Sequence, residues 1–143
     1  MGYVILEELT RADLAFRAEE PTLAALFRTA WQAVLDVMLP DPAGLEARER
    51  RRIDLANPAA DLLLFDFLSE LVYYKDAEGL LLALEGLVVE RGPAGYQLTA
   101  EAAGERADPE RHELGVDVKA VTLHHFAVEP TAAGWQATVV LDV

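Results

Sequence analysis

Three histidines, His112, His124 and His125, are the natural places to look for metal or acid–base chemistry in this chain. His124 beside His125 suggests a ligand pair, but neighbouring side chains on a strand project to opposite faces. One packed imidazole and one exposed imidazole are therefore expected there, without ligation. Cysteine is absent, which removes disulfides, thiolate nucleophiles and cysteine-type zinc sites together. The basic run Arg48, Glu49, Arg50, Arg51, Arg52 reads either as a short nucleic-acid patch or as charges balancing local carboxylates, and the second reading is favoured. Neither a phosphate-binding glycine loop, nor a nucleophile elbow, nor an H-E-x-x-H helix occurs.

The charge balance narrows the partners. Against 25 Asp and Glu stand only 12 Lys and Arg, a formal charge of −13. Such a surface repels a phosphate backbone and an anionic bilayer, and suits a cation or a basic partner. No apolar run approaches the ~20 residues needed to span a membrane. The first residues, Met1 to Glu8, lack a basic segment followed by a long apolar one, so a cytoplasmic location is expected. At 143 residues, 52% of them hydrophobic, the chain fits one domain, 1–143, with a sizeable core.

The elements that must position these side chains follow from periodicity. Tyr3 to Leu6 and Asp13 to Ala18 read as short strands. Leu23, Leu26, Phe27, Ala30, Trp31, Val34, Leu35 and Met38 fall on one face of a helix, with Thr22 placed to cap it. Ala47 to Leu55 reads as an edge strand protected by its charges. Asn57 with Pro58 reads as the start of a second helix running to about Tyr74 and turning out at Gly79. That helix is apolar on most sides, with only Asp61, Asp66, Ser69 and Glu70 as a polar stripe, and is expected to be largely enclosed. Leu80 to Arg91 and Tyr96 to Gly104 flank a turn cluster and form a hairpin. Asp108 to Gly115 is a loop with one helical turn after Pro109. Val118 to Val128 alternates, placing Val121, Leu123 and His125 on one face, and Gly134 closes a second hairpin into Trp135 to Val143. Strands and helices in separate blocks define an α+β class with a mainly antiparallel, sheet-rich core and two principal helices.

The segment Gly104 to His124 includes Asp108, Arg111, His112, Gly115, Val118, Lys119, Ala120, Val121 and Thr122. It resembles the archease pattern G-x-x-x-D-x-x-R-H-x-x-G-x-x-V-K-A-[VL]-T-Y-H, with Leu123 in place of the usual tyrosine. Phe67 to Tyr74, followed by Asp76, Ala77, Glu78 and Gly79, is similar to the family's W-L-N-E-L-L-Y helix. Gly134, Trp135 and Val139 to Val143 resemble its ending, with an Asp one residue before the terminus. At the other end the family's D-H-T-A-D motif aligns with Leu9, Thr10, Arg11, Ala12 and Asp13. The second Asp is kept, Thr10 stands where the family has His, and Glu8 lies one position before the lost acid.

The resemblance implies a protein that is not itself an enzyme. It would activate the GTP-dependent tRNA-splicing ligase, promoting ligase guanylylation and multiple turnover, and would meet RNA only through that ligase. It implies a divalent cation held by Asp13, Asp142 and Val143, an all-oxygen set suited to Ca²⁺ or Mg²⁺, with Ca²⁺ favoured. It leaves the oligomeric state open. Lys119, with Glu8 and His124, is a candidate for partner contact, and Lys119 reads equally well as the partner of a sheet-edge carboxylate. Arg111 and His112 are expected to fasten the Asp108 loop. Alternatives from other classes are a stand-alone metal-dependent phosphoester hydrolase using the same carboxylates, and a general chaperone or binding module for nucleic-acid-modifying proteins.

Overall fold

A strand of five residues, β1 (Gly2–Leu6), pairs antiparallel with β2 (Asp13–Glu20), and the chain then enters α1 (Leu23–Met38). The computed structural model describes residues 1–6 and 13–143. After a single 3-10 turn at Pro42–Gly44 come β3 (Glu49–Asn57), α2 (Ala60–Glu78), β4 (Leu80–Gly92), β5 (Gly95–Arg106), β6 (Ala120–Thr131) and β7 (Gly134–Asp142). They form a four-stranded sheet, β1-β2-β7-β6, and a three-stranded sheet, β3-β5-β4, with every pairing antiparallel. This is the α+β class expected from the sequence.

Both helices touch both sheets. α1 packs on β1, β2 and β7 of the first sheet and β4 of the second, while α2 packs on β6 of the first and β3, β4 and β5 of the second. Thr22 caps α1, its Oγ1 accepting the Ala25 N–H at 3.2 Å. The buried face of α1 carries the apolar residues read from the sequence, Leu26, Phe27, Ala30, Trp31, Val34, Leu35 and Met38 among them. Trp31 is fully buried, and its indole N–H donates to the Leu82 carbonyl at 2.9 Å. Its ring meets Phe67 of α2 at 4.7 Å, so one aromatic contact locks helix to helix and helix to sheet.

Three expectations are corrected. Asn57 does not cap the second helix. It is the last residue of β3, paired with Tyr96, and its Oδ1 accepts the Ala59 N–H at 3.0 Å, while α2 begins at Ala60 without a side-chain cap. The proline that follows holds Asn57 in extended backbone, so the helix starts two residues later than the Asn-Pro pair suggests. At its other end α2 runs past Tyr74 to Glu78, where Gly79 (φ 68°) takes the left-handed cap and donates to the Lys75 carbonyl. α2 is also less enclosed than its composition implies. Leu63, Leu64, Phe67, Leu68, Leu71 and Val72 are buried, but Leu62 is 42% and Tyr73 56% exposed.

The third correction concerns β6. Its pairing with β7 slips between Thr122 and Ala127: Thr122 faces Val140, yet Ala127 faces Thr138. Leu123 to Phe126 therefore stand against Val139 alone, a wide bulge in which His125 takes a positive φ of 54°. Alternation fails there, and Val121 is buried while Leu123 and His125 are exposed.

The basic run behaves as a balanced edge. Among the described residues β3 pairs only with β5, and each guanidinium finds a carboxylate: Arg48 with Glu46 at 2.7 Å, Arg50 with Glu85 at 3.1 Å, Arg51 with Glu78 at 2.6 Å, and Arg52 with Asp54 at 2.9 Å.

Candidate functional site

The central pairing of the larger sheet joins the second strand of the chain to its last. In that ladder Asp13 is the direct cross-strand partner of Asp142, and Asp142 faces Ala120 of β6 on its other side. Direct partners share a face, with Cβ atoms about 4.5–5.5 Å apart. Phe16, Val139 and Leu141 turn towards the helices. Alternation therefore sends Asp13 and Asp142 to the opposite face, alongside Ala15 and Val140. Both Asp residues are partly exposed.

Val143 follows directly. Its side chain packs on the core cluster, so any contribution to a cation comes from its main-chain oxygens. Two carboxylates on one face of a sheet end, with main-chain oxygens beside them, fit a hard cation, which takes oxygen donors including backbone carbonyls and water. Among the described residues no group of three or more His, Cys, Asp or Glu side chains stands ready to hold a metal ion. Glu8 and Thr10 lie outside the described residues.

Lys119 is tied to this end through its backbone, its N–H donating to the Asp142 carbonyl at 2.8 Å. Its side chain is exposed and makes no ion pair among the described residues, so the sheet-edge carboxylate partner is not found there. It borders a shallow cleft of about 260 Å³ with Val72, Tyr73 and Asp76 of α2 and Val121 of β6. His124 is elsewhere, on the β6 bulge, so the structure does not bring Lys119 and His124 together. The bulge overturns the expectation that His124 and His125 point apart: their rings meet at 4.1 Å, both exposed.

Most of the polar positions between Gly104 and Val118 build the framework behind this end. Glu105 is buried at 3% exposure. It accepts from the Arg111 guanidinium and from the Glu46 backbone N–H. Burial pushes its carboxyl up, but those two donors and the nearby His112 outweigh it and hold the group below its ordinary range. The buried His112 accepts the Asp108 N–H on Nδ1 at 2.9 Å, and the Arg111 and His112 amides both donate to the Asp108 carbonyl. Arg111 and His112 thus fasten the loop, as expected. Gly104 lies so close to β4 that a Cβ would sit 1.7 Å from the Leu81 carbonyl oxygen, and one on Gly115 would sit 2.3 Å from that of Val37.

Sequence reasoning missed Lys75. Its ammonium, only 13% exposed, pairs with Asp76 at 2.5 Å and Asp117 at 2.6 Å and donates to the Val118 carbonyl at 2.7 Å. Burial works against its charge, yet these contacts win and its pKa is raised. A lysine in the last turn of a helix looks like a complement to the helix dipole. Here it pins the segment that delivers Lys119 to Asp142.

The described residues form a seven-stranded, two-helix α+β architecture with paired carboxylates at one sheet end. The chain belongs to the Archease protein family (MTH1598/TM1083), whose model matches residues 3–143. It is 34% identical to the protein archease of Pyrococcus abyssi over 133 residues, which is 92% of this chain and 93% of that one. It is 35% identical to the archease of Thermococcus gammatolerans over the same span. The fold matches the solution structure of Methanobacterium thermoautotrophicum protein 1598 with a TM-score of 0.82, 30% identity and 99% of both chains covered. No helix among the described residues is long and apolar enough to cross a membrane.

Proposed function

We propose that this chain is a non-catalytic activator of the GTP-dependent tRNA-splicing ligase, and that Asp13 and Asp142, with the main-chain oxygens of Val143, form its cation-binding end. The observation that carries this reading is the direct cross-strand register of Asp13 and Asp142 in a chain of the Archease family. A bound cation, Ca²⁺ in preference to Mg²⁺, offsets the repulsion of the two carboxylates and offers a positive centre to phosphate oxygens. The flexible coordination of Ca²⁺ tolerates a set built from two carboxylates, backbone oxygens and water better than octahedral Mg²⁺ does.

The chain's own residues supply placement. The β2–β7 ladder fixes the two carboxylates on one face, and the Lys119 N–H holds the Asp142 backbone. The exposed Lys119 side chain, at the cleft against α2, supplies a contact for the partner. The acidic surface, at −13, disfavours RNA and favours a basic protein, so RNA is reached only through the ligase.

The test is guanylylation of the ligase from the same organism, with GTP and Mg²⁺, in the presence of substoichiometric amounts of this chain. The unaltered protein should raise the rate and Asp142→Asn should not. Full acceleration by Asp142→Asn removes the carboxylate pair from the mechanism. No acceleration by the unaltered chain removes the ligase reading itself.

A further inference from the structure

The outer side of α2 carries a feature that neither the carboxylate pair nor the framework uses. Tyr73 stands 56% exposed between two shallow clefts. One, of about 350 Å³, lies towards β3 and is lined by Leu55, Phe65, Asp66, Ser69, Glu70 and Tyr73. The other, towards β6, shares Ser69 and Tyr73 and is bordered by Lys119. Phe65, at the back of the first cleft, is braced edge-on by Phe126 of β6 at 5.8 Å. Leu62, 42% exposed, lies one helical turn before Phe65 and Asp66.

We propose that this α2 cleft, with Tyr73 on its rim, is a docking surface for a protein segment that presents an apolar side chain beside a lysine or arginine. The surface rests on the ligase reading above and names where that partner is gripped, apart from the cation-binding end. The apolar part is Leu55, Phe65 and the Tyr73 ring. The charged part is Asp66 and Glu70, one helical turn apart, with no cationic side chain paired to either among the described residues. Burial and the Asp66 charge push the Glu70 carboxyl above its ordinary value, a cost that an incoming cation relieves.

Charge selects among occupants. A nucleic acid would bring phosphates against Asp66 and Glu70. A second copy would bring another −13 surface to the same place. A basic protein segment meets neither objection, and a tyrosine beside an apolar pocket is the kind of side chain that dominates binding energy once a partner buries it at the centre of an interface. The second cleft extends the surface to the exposed Lys119, whose backbone N–H is bonded to the Asp142 carbonyl.

The experiment measures affinity for the ligase by isothermal titration calorimetry, for the unaltered chain, Tyr73→Ala, Glu70→Lys, and Val88→Ala on the exposed outer face of β4. Calcium binding by each variant is measured alongside. Tyr73→Ala and Glu70→Lys should each weaken ligase binding at least ~10-fold, as expected for a central aromatic or a charge reversal. Calcium binding should stay unchanged, and Val88→Ala should bind like the unaltered chain. Undiminished ligase binding by both α2 variants overturns the docking surface and leaves the ligase reading standing. Failure of the unaltered chain to bind the ligase overturns the ligase reading, and the docking surface with it.

Discussion

Asp13 and Asp142 face each other directly across the β2–β7 ladder, and the Asp142 carbonyl accepts the Lys119 N–H at 2.8 Å. The first strand entering the helices, the last strand and the segment before β6 therefore converge on one pair of carboxylates. Neither Asp has an ion-pair partner among the described residues, and under the proposed function a cation would sit between them.

Calcium should therefore stabilise the folded chain, and the two carboxylates should be needed for it. At a free concentration of 100 times the dissociation constant, one site contributes about 2.7 kcal/mol, a shift of several degrees in a chain this size. The melting temperature of the unaltered protein is expected to rise on adding Ca²⁺ and to return with EDTA. Asp142→Asn and Asp13→Asn should show little or no rise, while melting in EDTA within about 1 kcal/mol of the unaltered chain. Differential scanning calorimetry with and without Ca²⁺ decides it, and an undiminished calcium shift in both variants would remove the site.

Gly104 tests a different part of the same framework. A Cβ there lands 1.7 Å from the Leu81 carbonyl oxygen, and what it meets is β4 backbone, which cannot rotate aside as a side chain would. Gly104→Ala should cost more than the ~1–3 kcal/mol of ordinary overpacking. A urea midpoint within experimental error of the unaltered protein would show that β4 and β5 can separate at that point.

What was legible in the sequence was local. The apolar positions of Leu23–Met38 repeat at helical spacing and Thr22 sits where a cap belongs, so α1 and its buried face could be read directly. The charged edge of β3 was legible because four arginines and two acids crowd Arg48 to Asp54, a charge density that suits a strand at a sheet edge. The Asn57–Pro58 signal misled because proline acts on the residue before it as strongly as on the helix after it. The β6 bulge left no mark in composition. Leu123 to Phe126 look like strand residues, and only the pairing with β7 reveals that they stand against a single residue. The same non-locality hides the Asp13–Asp142 pair, since no spacing within either strand announces a partner at the opposite end of the chain. Only resemblance brought the two together. Glu105 and Lys75 escaped notice because a Glu on a strand and a Lys near a helix end are ordinarily solvated, and their burial is made by loops that fold over them.

Glu105 gives the protein an acid-sensitive fastening. Its folded-state pKa lies below the unfolded value, so the folded chain releases that proton more readily than the unfolded one does. The resulting stability is fully present above the ordinary glutamate range and is lost as pH falls through the depressed folded value. Glu105→Gln cannot pair with the Arg111 guanidinium as a carboxylate does, so it should be less stable than the unaltered chain at pH 7. The gap should narrow as the pH falls below the ordinary glutamate range and through the depressed folded value, where the native carboxyl also takes up its proton. Urea midpoints for both proteins across that range test it, and a gap independent of pH would assign Glu105 a packing role alone.

Lys75 links the helix to the carboxylate end and separates local strain from direct ligation. Its ammonium holds Asp117 and the Val118 carbonyl, and the next residue is Lys119, whose N–H is bonded to Asp142. Lys75→Met keeps the aliphatic stem but removes the charge, leaving the Val118 carbonyl short of a donor. A loss of about 1–3 kcal/mol in stability is expected, the range for leaving a partly buried acceptor unpaired. Calcium affinity should fall with it, because Lys119 is no longer anchored beside Asp142, but only several-fold, since both carboxylates remain. Lys75→Arg preserves the charge and should recover part of both effects. Calorimetry on the two variants reads stability and calcium affinity together. If Lys75→Met lost stability with calcium affinity intact, Lys75 would serve the fold alone, and the β2–β7 ladder by itself would position the carboxylates.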